Sequence, residues 1–145
     1  MKFGLPSLLL VSALASTSAL AQSLPKVDIY KSPTCDCCEK WATHMRSNGF
    51  KVEVHKVNDI PGNRKKLGMP DNFGSCHTST IGTYVVEGHV PAADVKRLLK
   101  EKPKAIGLAV PSMPAGSPGM DIPNSPPYET LLVQPDGSSR VFAKH

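Results

Sequence analysis

The spacing of apolar residues in the first half of the chain predicts a strand followed by a helix. Residues 27–30 have the pattern of a buried strand. Thr34 is the expected N-cap of the helix, and Gly49 is expected to end it. Four apolar positions then recur at i, i+3, i+4 and i+7, the spacing of one helix face. These positions are Cys38, Trp41, Ala42 and Met45.

Further strands and helices are predicted in the middle of the chain. Residues 51–57 alternate as a second strand, and Asp59 opens a short helix that stops at Gly68. A loop rich in Gly, Asn and Ser follows, and residues 81–86 then predict a further strand. A helix is expected from residue 92 to about residue 102. The pattern therefore predicts a mixed α/β domain.

The last third of the chain has a different composition. Residues 103–127 are dense in Pro and Gly and predict an extended, stiff loop that carries Met113 and Met120. Residues 130–134 and 140–142, separated by a Pro-Asp-Gly turn, predict a closing β-hairpin. The hairpin would fasten the loop back onto the sheet.

The N-terminus has the features of a secretory signal peptide. Lys2 precedes an apolar core around residues 8–11, and Ala19-Leu20-Ala21 has the small-x-small form of a cleavage site. The apolar stretch is too short and too rich in serine for a membrane span of roughly 20 residues. We therefore expect residues 1–21 to be removed and residues 22–145 to form one exported domain with no membrane attachment.

The charge of the chain is mildly basic. There are 17 Lys and Arg residues, 12 Asp and Glu residues and a formal net charge of +5. The positive charges are spread out apart from Arg64-Lys65-Lys66, which we interpret as a solvated helix face. Export and the absence of an aromatic and basic patch argue against a nucleic-acid partner.

The most informative motif is a run of cysteines between the first strand and the first helix. Cys35, Cys37 and Cys38 lie within four residues, and Cys76 is the fourth cysteine of the chain. Two structural disulfides would be the usual interpretation of four cysteines in an exported protein. A bond between the adjacent Cys37 and Cys38 would strain the backbone, however, so the cluster favours metal or redox chemistry at a helix N-terminus that stabilises thiolates.

The cysteine run resembles the active-site turn of glutaredoxin and thioredoxin relatives. Residues 30–38 carry the resemblance, with Cys35 and Cys38 as the C-x-x-C pair. The resemblance implies a thioredoxin-like fold and, as one function, a thiol-disulfide oxidoreductase in which Cys35 attacks and Cys38 resolves. Cys37 is an addition to that pattern, and the stretch 75–78 lacks the proline that usually faces the pair.

The motifs taken together resemble the CopG-like family of small exported copper-resistance proteins. They are the Cys-x-Cys-Cys turn, the Cys76-His77 pair, the segment 87–91 and the Met-Pro-Gly segment. The family implies a periplasmic, thioredoxin-like protein that binds copper at the cysteine-rich turn, is linked to copper redox chemistry and accompanies other copper-handling proteins.

Soft donor atoms independently favour copper. Thiolates and thioethers prefer Cu(I), and imidazole accepts both copper oxidation states. The candidate ligands are Cys35, Cys37, Cys38 and Cys76, with Met113, Met120, His77 and His89 as further candidates. Close thiolates can bridge several Cu(I) ions, and an electron passed between copper and thiols would make the protein a copper oxidoreductase.

A zinc site, and purely structural roles for the candidate methionines and histidines, also stay open. A structural zinc site normally needs two C-x₂₋₄-C knuckles, and only one is present. The two loop methionines can instead pack over the site, and either candidate histidine can be a surface residue. Met45 is expected in the core and Met69 in a loop or core contact. His44 and His55 are expected on solvated faces, and His145 at a free end.

Overall fold

A computed structural model describes Met1 and residues 23–145 of the chain. These residues form three α-helices and seven strands. The predicted signal peptide thus lies almost wholly outside the described residues. The strands are β1 Val27–Lys31, β2 Val52–Lys56, β3 His77–Ile81, β4 Tyr84–Glu87, β5 Gly107–Ala109, β6 Glu129–Val133 and β7 Ser139–Lys144. The helices are α1 Asp36–Ser47, α2 Ile60–Lys66 and α3 Ala92–Glu101, with a 3₁₀ turn at Asp71–Phe73.

All seven strands join one sheet in the order β2-β1-β3-β4-β5-β6-β7. The pairs β1/β2 and β4/β5 are parallel, and the other neighbours are antiparallel. A parallel pair needs a crossover connection, which α1 supplies between β1 and β2 and α3 supplies between β4 and β5. The chain is therefore a mixed α/β single domain, as the sequence pattern predicts.

The first strand and helix pack as their periodicity predicts. Residues 27, 29 and 31 of β1 are buried in alternation, and the helix stripe of α1 is wholly buried. Each fully buried large apolar side chain of this kind contributes roughly 1.5 to 3 kcal/mol. Gly49 ends α1 with a φ of 90°, which glycine adopts without steric cost. Cys38 belongs to this stripe, so one sulfur of the cysteine turn is anchored in the core.

The predicted strand at residues 81–86 is wrong, because two strands lie there. β3 already begins at His77, and the chain reverses at Gly82 and Thr83 before β4. Gly82 has a φ of 60°, which permits a tight reversal between paired strands. Both strands are almost wholly buried, so no alternation of polar and apolar residues marks the turn.

Two further boundaries differ from the sequence prediction. Residues 107–109 of the expected loop form β5, which pairs with β4 and β6 in the middle of the sheet, so the irregular segment starts only at Val110. Cys35, not Thr34, is the N-cap of α1, because a turn closed from the Cys35 N–H to the Ser32 carbonyl holds Thr34 outside the helix. The Asp59 cap of α2 and the β6/β7 hairpin are confirmed.

Candidate metal and redox site

The cysteine turn lies where β1 passes into α1. Cys35 is the N-cap with extended backbone and no side-chain capping bond, and Cys37 follows in the first turn. The first N–H groups of a helix have no partner within it and carry partial positive charge, which favours a thiolate. Cys38 is fully buried, while Cys35 and Cys37 are half-buried. The turn thus presents sulfurs at the positive end of a twelve-residue helix.

All four cysteine sulfurs lie within 4.8 Å of one another. Cys35 and Cys38 form a disulfide, and Cys37 and Cys76 are free. The Cys37 Sγ is 3.4 Å from the Cys35 Sγ, and the Cys76 Sγ is 3.4 Å from the Cys38 Sγ. The two free sulfurs are 4.0 Å apart. A distant cysteine therefore joins the turn that the sequence singled out.

A buried ion pair fixes the backbone just before Cys76. The Glu87 Oε1 accepts hydrogen bonds from the Arg64 Nε at 2.9 Å and from the Ser75 backbone N–H at 2.7 Å. The Arg64 Nη2 donates to the Ser75 carbonyl at 2.9 Å. Glu87 is completely buried, and its other oxygen accepts from the Thr78 hydroxyl at 2.5 Å. Both polar backbone groups of Ser75 are thus held by charged side chains.

This ion pair corrects the interpretation of the basic triplet. Arg64 is only 6% exposed and turns inward, while Lys65 and Lys66 are exposed as expected. Burial raises the pKa of the Glu87 carboxyl above its ordinary value, and the hydrogen bonds and the Arg64 charge offset only part of that rise. A single buried arginine inside a basic run gives no periodic signal, so the pair is visible only once α2 packs against β3 and β4.

His89 points a ring nitrogen at the Cys76 sulfur. Its Nε2 is 3.0 Å from the Cys76 Sγ, and its Nδ1 is 2.7 Å from the Pro118 carbonyl oxygen. A carbonyl can only accept, so the Nδ1 carries the proton and the Nε2 offers its lone pair to the sulfur side. Burial lowers the pKa of His89, which keeps the ring neutral. This is the arrangement in which a histidine binds a metal.

His77 contacts the same sulfur from inside the core. It is fully buried, its Nδ1 is 3.4 Å from the Cys76 Sγ, and its Nε2 has no partner among the described residues. Its ring packs between Trp41 and His89, at centroid distances of 4.6 Å and 5.2 Å. Burial lowers its pKa well below the ordinary value. Because an orphaned donor costs more than an unused lone pair in this setting, we assign the proton to the Nδ1, facing Cys76.

The Cys76 thiol is protonated in the metal-free protein. Burial, followed by the nearby Cys37, raises its pKa to about 12. The S–H proton therefore points to the lone pair of His89, and a soft metal that binds here must displace it.

The segment after β5 folds over the sulfurs. The Met113 Sδ is 3.9 Å from the Cys37 Sγ, and the side chain is 47% exposed. The preceding Ser112 has a φ of 62° and donates from its N–H to the Gly74 carbonyl, while its own carbonyl accepts from the Ser75 hydroxyl. The loop carrying Met113 is thus fastened to the loop carrying Cys76.

A glycine brings the other end of this segment against α1. A Cβ at Gly119 would lie 2.8 Å from the Cys37 carbonyl oxygen, 3.0 Å from the Trp41 backbone nitrogen and 3.2 Å from the His89 Nδ1. Only glycine fits at this distance, and its φ is 91°. The close approach sets the Pro118 carbonyl on His89.

Met120 is the one candidate that the contacts leave aside. Its sulfur makes no hydrogen bond to a cysteine sulfur in the part of the chain that the structure describes, although it directly follows Gly119. The other seven candidates are linked by contacts through Cys37, Cys38 and Cys76. The sequence missed the supporting groups, namely Ser75, Arg64, Glu87 and the Pro118 carbonyl, because backbone carbonyls and buried ion pairs leave no motif.

Lys31, a buried lysine not predicted to have a role at the site, contacts groups beside the cysteine turn. Lys31 is 1% exposed, and its Nζ lies 3.0 Å from the Ser32 carbonyl and 3.2 Å from the Glu39 carboxylate. Its charge also contributes to the low pKa of His77, so it lies close to the inner side of the site.

The remaining histidines have partners rather than free faces. The His44 Nε2 accepts from the Ala92 N–H at 3.0 Å, and the His145 Nε2 is 2.9 Å from the Asp94 carboxylate. His55 bonds Asp28 at 2.8 Å beside Glu53, where Lys26 already pairs with both carboxylates. Each ring thus has a polar contact, while His44 and His55 are half-buried and His145 is exposed. Met45 and Met69 are buried, as predicted.

Two solved structures are similar to this chain in both fold and sequence. They are titled Copper resistance protein copG, form 1 and form 2, and each is 39% identical to this chain with a TM-score of 0.79. The similarity covers 84% of this chain and 98% of each of those chains. This chain belongs to the CopG family of copper-resistance proteins.

Two further comparisons accompany the CopG similarity. Residues 73–120 match a family model described as a protein of unknown function, DUF411. That match spans Cys76, His89 and the Met113 segment but not the cysteine turn. No curated protein matches the chain. Among the described residues of this CopG-family chain, no helix has the length and apolar character needed to cross a membrane.

Proposed function

We propose that this CopG-family chain is a periplasmic copper-binding protein of copper resistance that holds Cu(I) at the cysteine cluster. The observation that carries the proposal is the convergence of four sulfurs within 4.8 Å, with the His89 lone pair 3.0 Å from one of them. Thiolate, thioether and neutral imidazole together select Cu(I) over hard cations. The two similar structures, both of a copper resistance protein, support the same metal.

The contacts support a specific ligand set. With the disulfide reduced, Cys35, Cys37, Cys38 and Cys76 supply four thiolates that can bridge more than one Cu(I). His89 and Met113 complete the set at its edges, since each already contacts a cluster sulfur. His77 has a supporting role in this proposal, as a hydrogen-bond donor to Cys76. Met120 stays a candidate on its position alone.

The fold and location form part of the same proposal. A parallel strand–helix–strand unit followed by an antiparallel strand pair and a helix supports a thioredoxin-like relationship, with the cysteine pair at the first strand–helix junction. The N-terminal pattern supports cleavage after Ala21 and export to the periplasm, where other copper-handling proteins are the proposed partners. An intact mass of the exported protein that included residues 1–21 would refute the cleavage.

Anaerobic titration of the reduced protein with Cu(I), against a competing chelator and with Zn(II) in parallel, tests the binding. Native mass spectrometry should show one or more Cu(I) per chain and preference for Cu(I) over Zn(II). Cys37→Ser removes the middle sulfur without touching the C-x-x-C pair and should sharply weaken uptake. Absence of Cu(I) uptake by the reduced wild type would refute the function.

Copper redox chemistry is the second part of the proposal. The dithiol of Cys35 and Cys38 can reduce two Cu(II) to two Cu(I), forming the disulfide and releasing two protons. Adding Cu(II) to the reduced protein should therefore yield two Cu(I) for each disulfide formed. Continued turnover with an added thiol reductant would indicate an enzyme, whereas a single stoichiometric reduction would refute catalysis and leave binding intact.

A thiol-disulfide oxidoreductase is the competing function, and the Cys35–Cys38 disulfide favours it. That function needs only the C-x-x-C pair, so Cys37→Ser should leave disulfide reduction unchanged. Reductase activity that survives this substitution in a protein that never binds Cu(I) would replace the copper proposal.

A further inference from the structure

We propose that the disulfide form of the protein keeps a separate site for a single Cu(I), formed by Met113, Cys37, Cys76 and His89. This inference rests on the proposed copper function and deepens it, because it assigns a second metal-binding state to the oxidised chain. Cys35 and Cys38 have no part in the site.

The disulfide divides the four sulfurs into two classes. Cys35 and Cys38 are bonded to each other and no longer provide thiolates, whereas Cys37 and Cys76 are free. Because only a thiolate is a strong ligand, a four-thiolate cluster cannot form in this state. The two free sulfurs are nevertheless neighbours, at 4.0 Å.

The four remaining donors form a chain of three close contacts. The Met113 Sδ to Cys37 Sγ distance is 3.9 Å, the Cys37 Sγ to Cys76 Sγ distance is 4.0 Å, and the Cys76 Sγ to His89 Nε2 distance is 3.0 Å. Sulfur ligands on a tetrahedral metal with bonds of about 2.3 Å stand about 3.8 Å apart, and a nitrogen ligand stands closer. Each neighbouring pair is thus near ligand spacing, and side-chain rotations that bring Cys37 and His89 closer together would close the site around one ion.

The two outer donors are held by contacts that do not involve the disulfide. The Pro118 carbonyl bonds the His89 Nδ1 at 2.7 Å and leaves the Nε2 lone pair facing Cys76. Ser112 is fastened to the Cys76 loop through Gly74 and Ser75, and it sets the position of Met113. In the disulfide form, the backbone of two loops therefore holds the two outer donors in place without using Cys35 or Cys38.

Met113 also connects this site to solvent. Its side chain is 47% exposed, whereas Cys38 on the other side of the cluster is completely buried. In the disulfide form the copper ion would therefore bind at the outer half of the cluster. Oxidation would lower the copper capacity of the chain to one ion without emptying it.

Native mass spectrometry during an anaerobic Cu(I) titration tests the proposal on two preparations, reduced protein and protein whose Cys35–Cys38 disulfide is verified by peptide mapping. The mass reports the copper count and the disulfide together, since the disulfide removes two hydrogen atoms. We expect one Cu(I) per chain in the disulfide form and more in the reduced form. The double variant Cys35→Ser/Cys38→Ser mimics the loss of both thiolates and should also bind one.

Single substitutions in the disulfide form identify the ligands. Cys37→Ser and His89→Gln should each weaken Cu(I) binding at least about tenfold, the smallest loss usual even for an outer-shell partner of a metal. Met113→Leu should weaken it by about the same factor. Met69→Leu is the matched control, because Met69 is buried in a separate apolar cluster and should leave affinity unchanged.

The outcomes separate this inference from the copper function itself. If the reduced protein binds Cu(I) and the disulfide form and double variant bind none, the inference is overturned and the function stands. Binding of more than one Cu(I) to the disulfide form, or binding that Cys37→Ser does not weaken, also overturns it. If neither preparation binds Cu(I), both proposals fail.

Discussion

Glu87→Gln removes the negative charge that holds the Cys76 loop, and its cost can be worked from the structure. The carboxylate is completely buried and accepts from Arg64, from the Ser75 N–H and from Thr78. Glutamine keeps the shape but leaves the Arg64 guanidinium, itself 6% exposed, with only the exposed Asp71 carboxylate at 3.7 Å as a counter-charge. Breaking a buried ion pair from one side costs about 3 to 5 kcal/mol.

Thermal and urea unfolding of the disulfide form measure this cost. For a domain of this size, 3 to 5 kcal/mol corresponds to a fall in Tm of about 10 to 20 °C. Glu101→Gln is the matched control, since Glu101 pairs with Arg97 at 3.5 Å on the exposed surface of α3. Such an exposed i,i+4 pair is worth about 0.3 to 0.5 kcal/mol, so the control should barely change the Tm.

The double variant Arg64→Met/Glu87→Met sharpens the interpretation. It leaves no lone buried charge. Its loss of stability should therefore be smaller than the sum of the losses measured for Arg64→Met and Glu87→Met separately. A loss below about 1 kcal/mol for Glu87→Gln, similar to the surface control, would refute the view that a charged pair fixes the Ser75 backbone. Strictly additive losses would refute the coupling between the two side chains.

Three further changes test other parts of the site. Gly119→Ala should destabilise the protein more than Gly68→Ala, because both have positive φ but only Gly119 would bring a Cβ within 3 Å of its neighbours; equal losses in urea unfolding would show that the loop does not press on α1. Because burial lowers the pKa of His77, the unfolded chain binds more protons than the folded chain below about pH 6.5, and the folded protein loses stability as the pH falls. In His77→Leu, the slope of the unfolding free energy against pH should be shallower by up to about 1.4 kcal/mol per pH unit between pH 6 and 5. An unchanged slope would contradict a buried neutral ring. Asp59→Ala removes the acceptor of the Gly62 N–H at 2.8 Å and should cost about 1 kcal/mol, with no loss if the cap is dispensable.

The parts of the fold that were predictable are those in which local chemistry and burial agree. The α1 stripe, the Asp59 cap and the C-terminal hairpin each have a periodic pattern or a turn signal, and each is confirmed. The β3/β4 hairpin has neither, because both strands are buried on two faces and Gly82-Thr83 is a weak turn signal. β5 was hidden for the same reason, as three buried residues beside a proline-rich loop.

The site divides in the same way. Its sulfurs and imidazoles could be named from the sequence, since their chemistry is written in residue type. Their roles could not, because the difference between His77 and His89 is made by what faces each ring nitrogen. The His89 Nδ1 faces the Pro118 carbonyl, whereas the His77 Nε2 has no hydrogen-bond partner in the part of the chain that the structure describes. Only the fold decides which lone pair is available to a metal.

The position of Cys76 bears on both parts of the proposed function, copper binding and redox chemistry. Its sulfur lies 3.4 Å from Cys38, close enough to attack the disulfide, yet burial keeps it protonated and therefore a poor nucleophile. A metal that displaces this proton turns Cys76 into a ligand rather than an attacking thiolate. The raised pKa thus disfavours attack of Cys76 on the disulfide, and under the proposed function Cu(I) binding would ionise this thiol.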